Sequence, residues 1–314
     1  MDEELELPET VQEEMTVSEL LSALLELTPE LESLDLPLMD AHGATLAADI
    51  IRGDEELMLA GSRIRSTHIA LASSVGLASL PATPHPRVVV ISAGDDLVEP
   101  GERLRSAQDE FETNSWMLAT TMKEAGAIAY RVHTIPETPA QLRQIIEDQL
   151  VRADLIVLSG ETKDESFDFI TSVLSEMGEI TTLTPNLEDT GRHNFGLIGP
   201  DQTPVITLPG EPIAAYLSAQ LFVRPMIRTM LGASDLHLRM VKAELTQKVT
   251  SPKGKVSLIR AKVFSDPKLR VTPLANQDQL TSLSQASGLI TFSSASTGAS
   301  AGQMVDVALI ERSI

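Results

Sequence analysis

The sequence of 314 residues contains no cysteine, and only 3% of its residues are aromatic. Without cysteine there can be no disulfide and no thiolate-ligated zinc or iron–sulfur site. The shortage of aromatic side chains removes the stacking platforms that single-stranded nucleic acid usually requires. Basic residues are also scarce, because 24 Lys and Arg stand against 45 Asp and Glu. That balance argues against nucleic-acid binding, in which clustered basic side chains must neutralise the phosphates.

Long apolar runs are absent as well. No stretch approaches the roughly 20 apolar residues that cross a bilayer, so we predict that the chain is not embedded in a membrane. Residues 1–6 are acidic, unlike the basic start of a signal peptide. We therefore expect a cytoplasmic protein. Its net charge of −21 favours solubility, and it would also suit a partner that carries basic residues.

Three parts of the chain flank a central region. Residues 1–14 are polar and acidic, which predicts a disordered arm. Residues 15–82 show helical periodicity from Val17, with shorter helical patterns at 41–51 and 66–75, and predict a helical linker module. Residues 234–314 alternate in short segments without a long helical pattern, which predicts a small β domain.

The central region, residues 83–233, alternates β-branched runs with helical patterns. The three strand candidates are 87–92, 155–159 and 204–208, and the helical patterns are 115–126, 139–153, 167–178 and 213–231. This alternation predicts an α/β domain with a mainly parallel sheet and helices on both faces. Ligands of such sheets bind at the carboxyl ends of the strands, so the loops there form the candidate site.

The first two loops carry polar residues that admit two interpretations. Gly94, Asp95 and Asp96 follow the first strand, where an aspartate can hold Mg²⁺ against phosphate oxygens. From position alone, a turn with exposed acids is the commoner interpretation. Asn114 and Ser115 stand at the start of a helix, where such residues are more often simple N-caps.

The loop after the second strand is the most informative. It begins at Gly160 and leads into a helix, a geometry that offers backbone N–H groups and a positive dipole to an anion. It also carries Glu161 and Glu165, whose carboxylates would repel that anion. Pro209 and Gly210 open the helix after the third strand and by themselves fit a structural role.

Taken in order, the loops resemble those of the molybdopterin molybdenumtransferases, the family of bacterial MoeA and the E domain of gephyrin. The matching segments are 93–101, 113–115, 160–169, 208–212 and 221–225, set against the family patterns TGDELVxPG, DSNS, TGGVSVGDYDF and LPGNP and the helix that follows. The resemblance covers most of the chain. It implies a homodimer built from a helical linker module, a mogA-like central α/β domain and a C-terminal β domain.

The resemblance also implies a chemistry, in which Mg²⁺ and adenylylated molybdopterin are bound, molybdate is inserted and AMP is released. Asp95 or Asp96 would be the metal-side acid, and Asp168 would be a further catalytic acid. The pocket around the pterin and phosphates would be formed by Gly94, Asn114, Ser115, Gly160, Arg192, Pro209 and Gly210.

Three ligand-facing loops have gained negative charge relative to the family patterns. Glu161 and Glu165 stand where the family has glycine, Glu188 where it has lysine, and Glu211 where it has asparagine. Arg192 can stand in for a second lysine of the family's PGKP segment.

The chain is also short in one place. Only ten residues separate Ile50 from Gly61, where the family inserts a whole β-rich subdomain that lines the active cleft. Its loss would remove half of the cleft wall.

These departures favour a gephyrin-like binding or scaffold protein, in which catalysis is weak or lost, the catalytic acids are vestigial and no cofactor is needed. A peptide or protein with basic residues would lie between the central and C-terminal domains. The alternative is a functional molybdenumtransferase, which rests on the retained residues Asp95, Asp96, Asn114, Ser115 and Asp168.

The acidic loop generates a first prediction. The double change Glu161→Gly and Glu165→Gly should strengthen the binding of a phosphate-bearing pterin several fold, because each carboxylate within about 4 Å of a phosphate costs on the order of 1 kcal/mol even in water. Equilibrium titration of both proteins measures the change. Unchanged affinity would mean that the missing subdomain, rather than the loop charge, limits binding.

Overall fold

The computed structural model describes residues 13–94, 97–132, 138–160, 164–265 and 267–310, with the backbone alone at 13–14 and 164–166. The N-terminal elements are β1 (Glu13–Met15), α1 (Val17–Glu26), β2 (Leu34–Pro37), β3 (Thr45–Leu46), β4 (Ile50–Arg52), β5 (Glu55–Met58), α2 (Ser66–Ser74) and β6 (Ser79–Thr83). The central elements are β7 (Arg87–Ala93), β8 (Leu97–Val98), β9 (Glu110–Phe111), α3 (Asn114–Ala125), β10 (Ile128–Arg131), α4 (Pro139–Leu150), β11 (Leu155–Gly160), α5 (Asp164–Met177), β12 (Gly178–Pro185), β13 (His193–Ile198), β14 (Thr203–Leu208), α6 (Pro212–Ser218), a π-helical turn (Ala219–Val223) and α7 (Arg224–Met230). The C-terminal elements are β15 (Met240–Leu245), β16 (Val249–Thr250), β17 (Ser257–Ser265), β18 (Leu269–Pro273), α8 (Leu280–Gln285), β19 (Gly288–Phe292), β20 (Gly298–Ala299) and β21 (Met304–Leu309).

A seven-stranded sheet in the order β1-β12-β13-β14-β11-β7-β10 forms the centre of the molecule. Only β13 runs against the others, which confirms the predicted mainly parallel α/β domain. Along β7 the side chains alternate between two cores. Val88 and Val90 face the core shared with α1, α3, α6 and α7, whereas Val89 and Ile91 face the core beneath α4 and α5.

Helix α1 packs on the central domain rather than in the linker module. Its first turn is closed by a capping box in which Glu19 N–H donates to Thr16 Oγ1 (3.2 Å) and Thr16 N–H donates to Glu19 Oε2 (2.8 Å). Leu20 and Leu24 are fully buried in the core beside α3 and α7. The preceding strand β1 pairs in parallel with β12, so residues 13–14 of the predicted disordered arm are backbone of the central sheet. Residues 1–12 lie outside the described residues.

The linker module contains more strand than the sequence pattern indicates. Helix α2 lies where the pattern at 66–75 places it, but the helix predicted at 41–51 is wrong, because β3 and the start of β4 fall there. Strands β2, β6 and β3 form a small sheet over a separate core that includes Leu46, Ile64 and Leu80. The apolar residues of 41–51 thus find their partners across strands and not along a helix.

A closed hairpin occupies the ten-residue span at which the sequence is short. Strands β4 and β5 pair around Gly53, whose φ of +64° is a conformation that glycine adopts without strain. The base is tied by Ala60 N–H to Asp49 Oδ1 (2.7 Å) and by Gly61 N–H to the Leu46 carbonyl (2.7 Å). The chain therefore passes directly through this region without an inserted subdomain.

The C-terminal part is a closed barrel of β15, β18, β17, β19 and β21, which confirms the predicted β domain. The sequence pattern indicates neither that these strands close into a barrel nor that the short helix α8 is present. The barrel contacts the central domain where Tyr216 and Leu217 of α6 pack against Leu258 and Leu289. Among the described residues, no helix is long and apolar enough to cross a membrane.

The packing of α1 generates a stability prediction. Leu24→Ala should lower the free energy of unfolding by about 2–5 kcal/mol, because it leaves a cavity at a fully buried position between α1 and the central core. Glu26→Ala, at an exposed position of the same helix, is the matched control and should change stability by about 0.5 kcal/mol or less. Chemical denaturation measures both. Equal, small effects would show that α1 is not part of the central core.

Candidate functional site

Strands β7, β11 and β14 end at the same edge of the sheet and open into a cavity of about 220 Å³. Parallel strands bring their carboxyl ends together, so loops that are distant in sequence meet here. The lining residues are Ser92, Ala93, Leu97, Glu110, Phe111, Glu112, Thr113, Asn114, Ser159, Gly160, Gly210, Glu211 and Pro212.

Asn114 bridges two of these loops. Its Nδ2 donates to Ser159 Oγ (2.8 Å) and to the Gly210 carbonyl (2.5 Å), and Ser159 Oγ donates in turn to the Pro209 carbonyl (3.3 Å). Because a carbonyl can only accept, the bond to Gly210 fixes the orientation of the amide. The opposite atom, Oδ1, is buried and has no hydrogen-bond partner among the described residues. The site therefore contains an acceptor that a ligand could satisfy.

Glu112 forms the buried floor beside Asn114. Its carboxylate accepts from Ser92 Oγ (2.7 Å), from the Ser115 backbone N–H (2.7 Å) and from Ser115 Oγ (2.6 Å). Arg131 Nη2 lies 3.3 Å away from it. The side chain is 1% exposed, so these donors replace the water that a buried carboxylate would lose.

Arg131 is the cation nearest to this floor, and its charge is already shared. Its Nη2 pairs with Glu99 as well as with Glu112, and its Nε donates to Ser115 Oγ (2.5 Å). Its guanidinium also stacks 4.2 Å from the ring centroid of Trp116. Arg131 thus supports the floor and does not line the cavity.

Asn114 and Ser115 do not act as N-caps. They are the first two residues of α3, and the N-cap, Thr113, makes no side-chain capping bond. The carboxylate of Glu112 caps the helix instead, because it accepts a hydrogen bond from the Ser115 N–H. This leaves Asn114 to face the cavity.

Gly160 closes the cavity wall for reasons of packing. A Cβ at this position would lie 2.2 Å from Ile170 Cδ1, so a larger residue would require the Ile170 side chain to move. Gly160 pairs with Ala93 and Ser159 with Ser92 across the sheet, which sets the two strand ends side by side.

Asp168 and Arg192 come together, but outside the lining of this cavity. Arg192 Nη1 lies 3.4 Å from Asp168 Oδ1, and the guanidinium sits 4.1 Å from the ring centroid of Phe167. Asp168 is exposed, whereas Arg192 is about three-quarters buried. The structure thus pairs the predicted acid with the predicted basic residue.

The predicted site residues lie in different places. Asn114, Gly160 and Gly210 line the cavity, whereas Ser115 and Pro209 support it through the bonds described above. Asp168 and Arg192 form the separate pair. Gly94 directly follows β7, and the predicted metal ligands Asp95 and Asp96 lie outside the described residues.

Sequence reasoning missed the contributions of Ser92, Phe111, Glu112 and Ser159. Glu112 stands at the acidic position of the DSNS pattern, a signal that could have identified it. The two serines are the penultimate residues of strands β7 and β11, where their positions alone carry little information.

The charge of the cavity is one-sided. Glu110, Glu112 and Glu211 line it, and no Lys or Arg is among its described lining residues. Within the described residues, no three acidic or histidine side chains come together as a metal site.

A second cavity of about 180 Å³ lies between the central domain and the barrel. One wall is apolar and is formed by Ile213, Ala214, Leu217 and Leu258. Four carboxylate side chains also line it, namely Glu188, Asp189, Glu211 and Asp278. An apolar wall beside several carboxylates suits an alkyl stem that ends in a cation.

Arg260 is the one basic residue in the described lining of this second cavity. Burial lowers its pKa, against the opposing effect of Asp189, Glu188 and Asp278. Its Nη1 donates to the Leu258 carbonyl (3.1 Å) and its Nη2 to the Gln277 carbonyl, while Nε has no partner among the described residues. Four carboxylates thus outnumber one guanidinium.

His193 lies next to Arg192 and is completely buried. Its Nδ1 donates to the Gly191 carbonyl (3.0 Å), which leaves Nε2 to accept from Ser218 Oγ (3.1 Å). Burial lowers the pKa of His193 to about 4, because the imidazolium would lose its hydration. The neutral ring thus links β13 to the end of α6.

Two family models match the chain. Residues 89–229 match the "Probable molybdopterin binding domain", and residues 242–310 match the "MoeA C-terminal region (domain IV)". These ranges correspond to the central sheet with its helices and to the barrel.

Curated relatives are named molybdopterin molybdenumtransferases. Molybdopterin molybdenumtransferase 1 of Mycobacterium tuberculosis is 28% identical over 272 residues, covering 84% of this chain and 64% of the relative. Molybdopterin molybdenumtransferase 2 of the same organism is 32% identical over 64% of this chain and 50% of the relative. The Bacillus subtilis protein is 26% identical over 81% of this chain and 59% of the relative. The chain thus spans less than two thirds of the length of these relatives.

Solved structures show the same fold. The molybdopterin biosynthesis MoeA protein of Pyrococcus horikoshii superposes with a TM-score of 0.77 at 18% identity, covering 95% of this chain and all of that one. The molybdenum cofactor biosynthesis protein of Pyrococcus furiosus gives 0.73 at 20% identity, with the same coverage. At these identities the likeness establishes the architecture alone.

The buried His193 generates a pH prediction. The unfolded chain takes up the proton near pH 6.5 and the folded chain only near pH 4, so stability is fully present above the higher value and falls between the two. The shift corresponds to a loss of about 3 kcal/mol across this window. His193→Gln should flatten that part of the profile, and the exposed His237→Gln should leave it unchanged. Denaturation from pH 7 to pH 4 measures the slopes, and equal slopes in all three proteins would contradict the assignment.

Proposed function

Because the chain belongs to the MoeA-like family of molybdopterin-binding proteins, we propose that it is a binding or scaffold member in which molybdenum transfer is weak or lost. The observation that carries this proposal is the charge of the cavity at the strand ends. Three glutamates line it, with no Lys or Arg among its described lining residues. The fold is kept, whereas the surroundings that a phosphate requires are not.

The carboxylates of the cavity oppose the binding of a phosphate. The repulsion between a phosphate and a carboxylate within about 4 Å weakens binding by on the order of 1 kcal/mol in water. In a partly enclosed site the same repulsion is several times larger. Arg131 offers little compensation, because it is engaged with Glu99, Glu112 and Ser115. Glu112 is already paired with Arg131, whereas neither Glu110 nor Glu211 forms an ion pair with another of the described residues.

The second cavity supports a protein partner. Its apolar wall and four carboxylates fit a lysine or arginine side chain of an extended segment, with the stem on Leu217 and Leu258 and the cationic head among the acids. The proposal therefore includes a peptide or protein with basic residues, held between the central and C-terminal domains. It also includes a homodimer in the cytoplasm.

The alternative is a functional molybdenumtransferase that inserts molybdate into adenylylated molybdopterin and releases AMP. The polar bridge favours it, because Asn114 joins Ser159 to Gly210 and its Oδ1 has no partner among the described residues. Asp168 and Arg192 also remain close together. Both proposals retain a ligand site. They differ in whether that site accepts a phosphate-bearing ligand or excludes it.

Only the family resemblance implies that Mg²⁺ is bound. The ligands that it implies, Asp95 and Asp96, lie outside the described residues. The described cavity offers oxygen atoms of the kind that Mg²⁺ prefers, from Asn114, Glu110 and Glu211. They are not grouped as a three-residue metal site within the described part of the chain. No step of the proposal depends on the ion.

A titration with adenylylated molybdopterin and Mg²⁺ tests the proposal. Trp116 is the sole tryptophan, and it lies in the first turn of α3 beside Asn114, so its fluorescence reports binding. We expect no saturation up to millimolar ligand. Glu211→Asn, which restores the residue of the family pattern, should bring measurable binding by removing one charge. The exposed Glu102→Gln lies outside the cavity lining and should not.

Two outcomes would contradict the scaffold proposal. Micromolar binding by the unchanged protein would show that the carboxylates do not exclude the phosphate. Release of AMP in the presence of molybdate would establish the transferase alternative.

A further inference from the structure

We infer that the second cavity, between the central domain and the barrel, binds the amino terminus of a peptide. The α-ammonium group lies among the carboxylates, the first carbonyl accepts from Arg260, and an apolar first side chain lies on Leu217 and Leu258. The inference rests on the proposed binding of a basic partner at this cavity and specifies which cationic group of the partner enters. It distinguishes an α-amino terminus from the side chains of lysine and arginine.

The first step is a buried donor without a partner. Arg260 is 6% exposed and lines the cavity. Its Nη1 and Nη2 donate to the carbonyls of Leu258 and Gln277, but its Nε is buried and has no hydrogen-bond partner among the described residues. Buried polar atoms are nearly always paired in proteins. A ligand that offers an acceptor oxygen would supply the missing partner.

Local structure holds Arg260 in this position. Successive side chains of a strand point to opposite faces, so Leu258 and Arg260 of β17 share the face that lies toward the central domain. Gln277, between β18 and α8, holds the backbone at the same point. Arg260 N–H donates to Gln277 Oε1 (2.9 Å), and Gln277 Nε2 donates to the Arg260 carbonyl (2.9 Å). The donor is thus in place before a ligand binds, which reduces the entropy that binding costs.

The second step is the origin of the carboxylates. Glu188 and Asp189 follow β12, Glu211 precedes α6 and Asp278 precedes α8, so three separate segments meet at the cavity. The first segment is joined to the barrel, because Glu188 N–H donates to the Val256 carbonyl (2.9 Å). None of the four carboxylates forms a hydrogen bond or an ion pair with another described residue. They are therefore available to a cationic ligand.

The third step is that the cation and the acceptor of the ligand must be adjacent. Burial lowers the pKa of Arg260, and the charges of Asp189, Glu188 and Asp278 oppose that shift, so these carboxylates act on the guanidinium directly. In an α-amino terminus a single carbon separates the ammonium group from the first carbonyl. In a lysine or arginine side chain the cation lies at the end of an apolar chain, away from the backbone carbonyl.

The net charge of the lining favours a peptide over a free amino acid. Four carboxylates against one guanidinium leave three net negative charges. A free amino acid would bring a further carboxylate into this field, where at similar distances four repulsions outweigh one attraction. The first carbonyl of a peptide accepts the same hydrogen bond without that charge.

The apolar wall and the size of the cavity determine the rest of the ligand. Leu217 and Leu258 belong to the packed junction of α6 with the barrel, so the wall is firm. The volume of about 180 Å³ is below the roughly 300–1,000 Å³ of sites for drug-sized ligands. The cavity therefore suits one apolar residue, and the remainder of the peptide would lie outside it.

Matched small ligands test the inference by calorimetric titration of the full chain at pH 7, where an α-amino group is largely protonated. Leucinamide carries the ammonium group, the carbonyl and the apolar stem, and we expect it to bind in the millimolar range or more tightly. N-acetylleucinamide lacks the cation and 3-methylbutylamine lacks the carbonyl, so each should bind at least about tenfold more weakly.

Three further ligands distinguish the source of the ammonium group. Nα-acetyl-lysinamide separates the cation from the carbonyl, and free leucine adds a carboxylate, so both should bind several fold more weakly than leucinamide. A tripeptide amide that begins with leucine should bind at least as tightly as leucinamide, because the chain continues outside the cavity.

Variants identify the protein groups. The double change Asp189→Asn and Asp278→Asn should weaken leucinamide about tenfold by removing two charges, and asparagine tolerates the φ of +52° at position 189. Asp201→Asn, exposed and outside the cavity lining, is the matched control and should bind like the unchanged protein. Arg260→Met should abolish the difference between leucinamide and 3-methylbutylamine. Circular dichroism confirms folding, and the ligand pair on the unchanged protein tests the same contact if this variant does not fold.

Several results would overturn the inference. They are equal binding of leucinamide and either N-acetylleucinamide or 3-methylbutylamine, tighter binding of leucine or Nα-acetyl-lysinamide, and exclusion of the tripeptide. Tighter binding of Nα-acetyl-lysinamide would leave the proposed basic side chain standing. No binding of any cationic probe in the millimolar range would overturn the proposed basic partner as well. Release of AMP in the presence of molybdate would overturn only the proposed loss of molybdenum transfer.

Discussion

The carboxylate of Glu112, buried and held by three neutral hydrogen bonds and one guanidinium, is the interaction on which the candidate site depends. It ties the end of β7 through Ser92, the first turn of α3 through Ser115, and β10 through Arg131. Removing one partner of such a buried pair costs about 3–5 kcal/mol in comparable cases, because the other charge is left without compensation. The positions of Asn114 and Trp116 follow from this anchor, since both belong to the turn that Glu112 caps.

This arrangement separates the framework of the site from its charge. The framework of Glu112, Asn114, Ser159 and Gly210 is held by hydrogen bonds among its own residues, and Asn114 Oδ1 is its one buried side-chain atom without a partner among the described residues. Glu110 and Glu211 are exposed, and we expect their substitution to change stability little. The charge of the cavity can thus differ while its framework stays the same. In addition, the β4–β5 hairpin connects its flanking segments directly, so no inserted subdomain forms a further wall of the cleft there.

Much of the framework was accessible from sequence because it follows from local patterns. The runs at β7, β11 and β14 are buried on both faces and read as continuous apolar strands, and Gly126 and Pro212 mark helix ends that the structure confirms. Strands β12 and β13 were missed because partly exposed threonines and the polar pair His193 and Asn194 break the apolar pattern. The helix predicted at 41–51 failed because its apolar residues are satisfied by strand partners that are distant in sequence.

The sequence predicts which loops form the candidate site, but it does not predict the hydrogen bonds within it. Asn114, Gly160 and Gly210 were placed correctly at one edge of the sheet, since the ends of parallel strands must meet. The bond from Ser92 to Glu112 and the bonds that fix Asn114 join residues 20 to 96 positions apart, for which no local pattern exists. The same holds for Arg260, whose acidic surroundings come from two domains.

The central claim is that the cavity has kept its shape and lost its capacity for phosphate chemistry. The most direct measurement is a single-turnover assay in which the protein, in excess over adenylylated molybdopterin, is mixed with molybdate and Mg²⁺ and the released AMP is quantified. The account predicts no AMP above the rate without protein. Release of one AMP per ligand, abolished by substitution of Asn114, would contradict it.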